Sequence, residues 1–291
     1  MANERGKAID NTHLSIDQAE ERGFIHRDYI AHCLRWSHVV KALGKKPEQW
    51  DVLDVGCGRE VPLARTLYTG RLIVNSYVGV DYNELGTPEM FKTGKFPLRL
   101  IGGIDAANLE RVDDTVRLGP AAFPLPNVIV SFEMIEHVEP GHCRKILQRL
   151  YSLMGPTTVL FLSTPCYDEG TGAAANHVNE MTYKALGACL EDLGFTVSSV
   201  FGTFASLSDY EPLVRIKYGE KGALLFNQLR DYYDVNYLST VFAPLFPAQS
   251  RNCLWRVTVQ PGTTRKFPRL VEVPGPWSSS KKWKELNGDP A

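Results

Sequence analysis

The sequence predicts an α/β fold in which helices cover both faces of a mostly parallel sheet. Short segments that are apolar throughout alternate with segments of helical periodicity, a pattern typical of strands buried on both faces. The first apolar segment ends in a glycine turn, Gly56-Cys57-Gly58. Ligands of such sheets bind at the carboxyl ends of the strands, so the polar residues that end each strand are the candidate site residues.

Each element is bounded by a change in periodicity or by a glycine or proline. The predicted strands are residues 50–55, 77–80, 98–104, 127–131, 158–162, 195–201 and 254–259. The predicted helices are residues 16–43, 60–68, 142–153, 182–193 and, inside a longer insertion, 221–232. Gly44 and Gly194 follow two of these helices, a position that glycine favours. Strands on both sides of the insertion contribute to one sheet, which indicates one large domain.

The chain divides into three segments. Residues 1–44 are predicted to form a polar N-terminal segment with cap helices, and residues 45–260 to form the main domain. The aromatic-rich insertion 203–250 is either a lid over the site or a helix packed on the edge of the sheet. Residues 261–291 are a Pro-, Ser- and Lys-rich tail with six Lys or Arg and three acids, so its local charge is 6 − 3 = +3.

Composition excludes several classes of protein. The 291 residues carry 32 Lys or Arg and 33 Asp or Glu, for a net charge of −1, which argues against nucleic-acid binding by the whole surface but not by the tail. With 44% hydrophobic and 22% charged residues, the chain is not disordered throughout. The polar N-terminus and the lack of an apolar run of about 18–20 residues predict a cytoplasmic protein without a membrane partner. The sequence does not indicate an oligomeric state.

Acidic residues flank the glycine turn. Asp54 precedes it, and Asp81 ends the next strand 81 − 58 = 23 residues after Gly58, a spacing at which an acid accepts hydrogen bonds from a ribose diol. The third glycine of a dinucleotide motif is absent, and Glu60 is unfavourable beside a pyrophosphate. The pattern therefore favours a cationic or zwitterionic ligand such as S-adenosylmethionine. The alternative is an enzyme that binds NAD or a nucleotide sugar.

The segment Leu53-Asp-Val-Gly-Cys-Gly58 resembles motif I of the class I S-adenosylmethionine-dependent methyltransferases. Residues 77–81, 127–138, 161–165 and 252–257 resemble further strands of that family. The resemblance implies a seven-stranded, mostly parallel Rossmann-like sheet with one antiparallel strand, with Asp81 on the ribose and Asp105 on the adenine. The cofactor-binding residues that it implies are Asp54, Gly56, Cys57, Gly58, Asp81, Tyr82, Asp105, Ala106, Phe132 and Glu133.

A dense group of metal-ligand types follows the fourth strand. Glu133-x-x-Glu136-His137 resembles the metal motif of ubiquinone-pathway O-methyltransferases and of small-RNA 3′-terminal 2′-O-methyltransferases, which add a later histidine in a stretch like His177-x-x-Glu180. The resemblance implies that Glu133, Glu136, His137 and His177 hold Mg²⁺ or Mn²⁺, which lowers the pKa of a substrate hydroxyl. In the alternative without metal, Glu133 caps a helix, and His137 or His177 is the catalytic general base.

The resemblance implies transfer of the sulfonium methyl group, preferably to oxygen on a small-molecule acceptor. A nucleic-acid methyltransferase is the first alternative, because Trp277 and Trp283 lie among the basic residues of the tail. A non-catalytic S-adenosylmethionine-binding module is the second. Cys166 is interpreted as a small surface residue rather than a nucleophile, because no basic groove or second catalytic cysteine accompanies it.

Overall fold

The computed structural model describes residues 27–168, 172–174 and 176–259, without the side chains of residues 27–30 and 32. The predicted start of the first helix and the tail 261–291, with Trp277 and Trp283, lie outside the described residues.

One seven-stranded sheet forms the centre of the molecule. Its order is β3-β2-β1-β7-β8-β10-β9, with β10 antiparallel to both neighbours and the remaining pairs parallel. The strands of this sheet are β1 Asp51–Val55, β2 Ser76–Val80, β3 Leu98–Ile101, β7 Val128–Phe132, β8 Val159–Pro165, β9 Thr196–Ala205 and β10 Ser250–Thr258. This arrangement confirms the predicted α/β, mostly parallel Rossmann-like fold.

Within the described residues, six α-helices accompany the sheet. They are α1 Arg27–Leu43, α2 Pro62–Thr69, α3 Pro140–Leu153, α4 Tyr183–Asp192, α5 Glu211–Arg230 and α6 Val235–Phe242. Pro62 and Pro140 begin their helices, because a missing N–H costs nothing in the first turn. The helix predicted at 221–232 instead begins at Glu211 and is kinked at Gly219, where φ is +71°.

The two faces of the sheet bury separate cores. Along β1, Val52 packs in the core with α1 and α2, whereas Leu53 packs in the core with α3 and α4. Because successive side chains of a strand point to opposite faces, a strand that is apolar throughout contributes side chains to both cores. Trp255 of β10 is completely buried on the second of these faces.

A small second sheet lies between β3 and β7 and was not predicted. Its strands are β4 Glu110–Val112, β5 Thr115–Leu118 and β6 Ala121–Pro124, joined as antiparallel neighbours. Of the residues in these strands, only Val116, Leu118 and Phe123 are buried in the core. The hydrophobic pattern by which a strand is predicted from sequence is therefore short and weak here. The third predicted strand, 98–104, also ends early at Ile101. A Cβ atom at Gly102 would lie 2.4 Å from the backbone nitrogen of Leu85. The backbone at Gly102 therefore passes so close to the backbone at Leu85 that there is no room for a side chain.

The insertion 203–250 extends β9, adds α5 and α6, and enters β10. Tyr210, Phe226 and Phe246 pack together in a third core of their own. Among the described residues, none of the helices combines the length and the hydrophobicity of a membrane-spanning segment.

Candidate active site

The carboxyl ends of β1, β2 and β7 meet around the glycine turn. Gly56 and Gly58 have φ values of +75° and +68°, which glycine adopts without strain. A Cβ atom at Gly56 would lie 2.8 Å from Cβ of Met134, so only glycine allows the loop after β7 to approach. Val61, which stands where a dinucleotide motif has its third glycine, is buried with φ of +40°.

A cavity of about 680 Å³, the first cavity, opens beside this turn. Six of the ten predicted cofactor-binding residues line it: Gly56, Asp81, Tyr82, Asp105, Ala106 and Glu133. The other four, Asp54, Cys57, Gly58 and Phe132, are not among its lining residues. The cavity therefore brings together the ends of β1 and β2 with the segments that follow β3 and β7.

Asp81 is held rigidly at the end of β2. Its Oδ2 accepts a hydrogen bond of 2.8 Å from the Gly58 N–H, and its Oδ1 accepts bonds of 2.8 and 2.9 Å from the backbone and side-chain nitrogens of Asn83. Its side chain is 8% exposed. Gly58 therefore acts on this cavity through its backbone, by fixing the carboxylate that lines it.

Asp54 and Cys57 lie beneath the cavity. The Tyr77 hydroxyl donates a hydrogen bond to Asp54 Oδ2, and burial raises the pKa of Asp54 to about 7. The Cys57 thiol is buried, and burial raises its pKa. Its sulfur lies 2.9 Å from the place that a Cβ atom at Gly79 would occupy. Both side chains thus support the turn from the core.

Asp105 begins a short 3₁₀ helix at Ala106–Asn108. Its Oδ1 accepts a 2.9 Å hydrogen bond from the Ala107 N–H and lies 2.9 Å from Nε2 of His142. His142, in the first turn of α3, also lines the first cavity.

Glu133 lies between the first cavity and a second one. It follows β7 with φ of +52°, a left-handed conformation that is uncommon outside glycine. Its Oε1 and Oε2 accept 2.7 Å hydrogen bonds from Ser163 Oγ and Asn252 Nδ2, and Nη1 of Arg35 lies 3.7 Å from Oε1. The second cavity, of about 300 Å³, is lined by residues that include Ala31, Arg35, Glu133, His177, Arg251 and Asn252. Glu133 therefore lines both cavities.

Glu136, His137 and His177 form the histidine cluster. One potential ligand atom of each lies within 4.8 Å of those of the other two. Glu133 is not a member of this group, so of the four predicted metal ligands the structure brings three together. If this segment opened a helix, Glu133 and Glu136 would share a face, but it forms a 3₁₀ turn at Ile135–His137 that begins after Glu133.

The hydrogen bonds of the two histidines define their tautomers. His137 Nδ1 lies 3.1 Å from the Asn176 carbonyl oxygen, which only accepts, so Nδ1 carries the proton. His177 Nδ1 is bonded to the Glu180 carboxylate in the same way. In the neutral form each ring therefore keeps the lone pair on Nε2. Burial and the neighbouring His177 ring lower the pKa of His137, which favours that neutral form.

Glu136 is a buried carboxylate, 1% exposed, that accepts a 3.1 Å hydrogen bond from Thr164 Oγ1. Burial, and next the charge of Glu133, raise the pKa of Glu136 well above its usual range. A cation beside it would reverse this effect, because the charged form would then be stabilised.

One protein-family model matches more than half of the chain. The model described as a methyltransferase domain matches residues 26–200. The chain belongs to the methyltransferase domain family. It is a methyltransferase.

Solved structures of methyltransferases resemble this methyltransferase at low identity. The 1,6-didemethyltoxoflavin-N1-methyltransferase of Burkholderia thailandensis is 15% identical, with a TM-score of 0.47 over 78% of this chain and 77% of that one. Magnesium protoporphyrin IX methyltransferase of Synechocystis PCC 6803 is 14% identical, with a TM-score of 0.45 over 65% and 81%. An S-adenosylmethionine-dependent methyltransferase of Archaeoglobus fulgidus is 18% identical, with a TM-score of 0.46 over 82% and 96%. No curated protein matches the chain significantly.

Behind His177, the methyltransferase holds a buried ion pair. Glu180 is completely buried, and its Oε2 lies 2.7 Å from Nη2 of Arg251. Burial alone raises the pKa of Glu180, but the bonds to His177 and Arg251 outweigh it and lower that pKa. Arg251 also donates to the carbonyl oxygens of Cys166 and, at 2.8 Å, Gly172. The ion pair thus ties the loop after β8 to β10 and holds the His177 ring.

Sequence reasoning missed the roles of His142, Arg251 and Asn252. Asn252 directly precedes the apolar run Cys253-Leu254-Trp255 of its strand, a signal that could have been used, whereas His142 and Arg251 have no local signal. Cys166 was expected at the surface but is 4% exposed, because it follows β8 into the core. Neither cavity has α5 or α6 among its lining residues within the described ranges, so the lid remains a prediction.

Proposed function

We propose that this methyltransferase transfers the methyl group of S-adenosylmethionine to an oxygen atom of a small acceptor in the second cavity. The observation that carries the proposal is the histidine cluster, whose member His177 lines the second cavity while His137 lines the first. The reacting groups would therefore meet between two adjoining cavities. A volume of about 300 Å³ for the second cavity supports a small acceptor.

The cofactor would occupy the first cavity. Asp81 would accept hydrogen bonds from the ribose hydroxyls, because its carboxylate is already oriented by Gly58 and Asn83. Asp105 would accept one from the adenine amino group, with Ala106 and Tyr82 beside the nucleoside. Glu133 would place a negative charge near the cationic end of the cofactor.

The histidine cluster fits a divalent metal ion. It offers one carboxylate and two imidazoles whose Nε2 lone pairs are available, and a cation beside the buried Glu136 would stabilise its charged form. Without Glu133, this ligand set suits Mn²⁺ better than Mg²⁺, because imidazole is a poor ligand for Mg²⁺. When bound, the metal would lower the pKa of the acceptor hydroxyl.

The chain itself would position the reactants. The acceptor oxygen attacks the methyl carbon as the carbon–sulfur bond breaks, so the two reactants must lie in line. In the absence of metal, Nε2 of His177 or His137 would take the hydroxyl proton, and we propose these two as the catalytic residues.

Metal binding tests this function directly. We expect the chelator-treated protein to bind one Mn²⁺ in calorimetry, and to methylate an acceptor from cell extract with labelled cofactor only after Mn²⁺ is restored. His177→Ala and Glu136→Gln should lose both properties, whereas Asp114→Asn, at an exposed acid in a turn of the second sheet, should retain them. Full activity of the wild-type protein in chelator would overturn the metal assignment.

The basic composition of residues 261–291 favours one rival, methylation of a nucleic acid. That rival predicts affinity for an oligonucleotide that falls steeply as salt rises, and label in the RNA or DNA fraction of the extract. Label in the small-molecule fraction supports the proposal made here. Tight cofactor binding without transfer to any fraction would indicate a non-catalytic binding module.

A further inference from the structure

His142 and Asp105 meet at the edge of the first cavity although they are 37 residues apart. His142 lies in the first turn of α3, and Asp105 follows β3. Both side chains line the cavity. The contact therefore joins two separate elements at the place where the adenine end of the cofactor would lie.

Both interactions of the Asp105 carboxylate use one oxygen. Oδ1 receives the Ala107 N–H and Nε2 of His142, each at 2.9 Å. No hydrogen bond from a described residue reaches Oδ2. With one oxygen held by two donors, the carboxylate cannot rotate freely, and the other oxygen is presented in a fixed direction.

We propose that His142 is a positioning residue that gives this methyltransferase its selectivity for the 6-amino group of adenine. By donating from Nε2, His142 holds Asp105 Oδ1, so that Oδ2 accepts a hydrogen bond from the amino group. The proposal rests on the proposed binding of the adenine by Asp105. A carboxylate that is free to rotate would lose conformational entropy on binding, so it would distinguish less well between ligands with and without the amino group.

The experiment compares two ligands by calorimetry on the full chain: S-adenosylhomocysteine and its analogue with hydrogen in place of the 6-amino group. We expect the wild-type protein to prefer the amino compound by about ten- to hundredfold, the range of one hydrogen bond to a charged group. His142→Ala should weaken binding of the amino compound and leave the analogue unchanged, so the preference disappears. His142→Gln keeps an N–H donor and should retain it. Gln148→Ala, an exposed and uncharged position of the same helix, is the control.

The outcomes separate the possible failures. Equal weakening of both ligands in His142→Ala, or no change in either, would overturn the role of His142. Equal binding of the two ligands by the wild-type protein would overturn the contact to the amino group and leave the cofactor site standing. Failure of the wild-type protein to bind either ligand would refute the cofactor site itself, and with it this inference.

Discussion

Glu133 Oε2 accepts a 2.7 Å hydrogen bond from Asn252 Nδ2 across 119 residues of sequence. The bond joins the end of β7 to β10, and Thr203 Oγ1 holds the amide from the other side with a 2.8 Å bond to Asn252 Oδ1. The residue that lines both cavities is therefore positioned from the antiparallel part of the sheet.

Asn252→Ala should lower kcat/KM for methyl transfer by about tenfold while the protein stays folded. The substitution removes a donor from a partly buried carboxylate, which costs about 1–3 kcal/mol. Steady-state kinetics with labelled cofactor measure the effect. Arg256→Ala, at an exposed position of the same strand, is the control. Equal activities of the two variants would show that Glu133 is positioned without Asn252.

Gly56→Ala should reduce cofactor affinity at least tenfold. The new Cβ would lie 2.8 Å from Cβ of Met134, and the φ of +75° is unfavourable for alanine. Gly86→Ala is the matched control, since a Cβ there has no heavy atom within 4 Å. Calorimetric titration with S-adenosylhomocysteine distinguishes the two variants. Wild-type affinity in Gly56→Ala would mean that the loop of Met134 moves away at no cost.

The free energy of unfolding should depend on pH through Asp54. Burial raises its pKa from 3.8 to about 7 in the folded state, so the folded protein binds more protons than the unfolded chain between these values. The contribution of this group is fully present below pH 3.8 and is lost as the pH rises through about 7. Asp54→Asn should remove this dependence, which urea titrations between pH 5 and pH 8, a range of about three units, would detect.

Tyr77→Phe offers a second check on the same group. The Tyr77 hydroxyl donates to Asp54 and thereby lowers the pKa of that carboxyl, against the larger effect of burial. Without this donor, the pH at which stability is lost should move upward. Asp231→Asn, at an exposed acid, should leave the wild-type pH profile unchanged. A downward shift in Tyr77→Phe would contradict the assignment.

Glu180→Ala and Arg251→Ala should each destabilise the protein by about 3–5 kcal/mol, because each leaves a buried charge without its partner. The double variant should lose much less than the sum of the two single losses. A double-mutant cycle in urea measures the coupling between the two side chains. Additive losses would show that the ion pair contributes nothing to the fold beyond the separate contacts of each residue.

Much of the central sheet could be predicted from local pattern, because apolar strands and helical periodicity are properties of neighbouring residues. The turn at Gly56 and Gly58 and the acid at Asp81 were likewise visible, since their spacing along the chain reflects one strand–turn–helix unit. The second sheet at residues 110–124 was not visible, because its strands are three or four residues long and bury few side chains. The exclusion of Glu133 from the histidine cluster also required the structure. Glu133 has a left-handed backbone conformation and bonds to Ser163 and Asn252 instead, whereas the loop after β8 brings His177 to the adjacent residues Glu136 and His137.

The net charge of −1 and the motif around Gly56 are properties of the chain alone, and they limit the protein to a charge-balanced α/β fold with a site at the strand ends. The hydrogen-bond and ion-pair partners of the site residues cannot be found from the sequence alone. Asn252 reaches Glu133, Arg251 reaches Glu180, and His142 reaches Asp105 only after folding brings distant elements together. Such contacts depend on the packing of whole strands and helices, and no local pattern of residues encodes them.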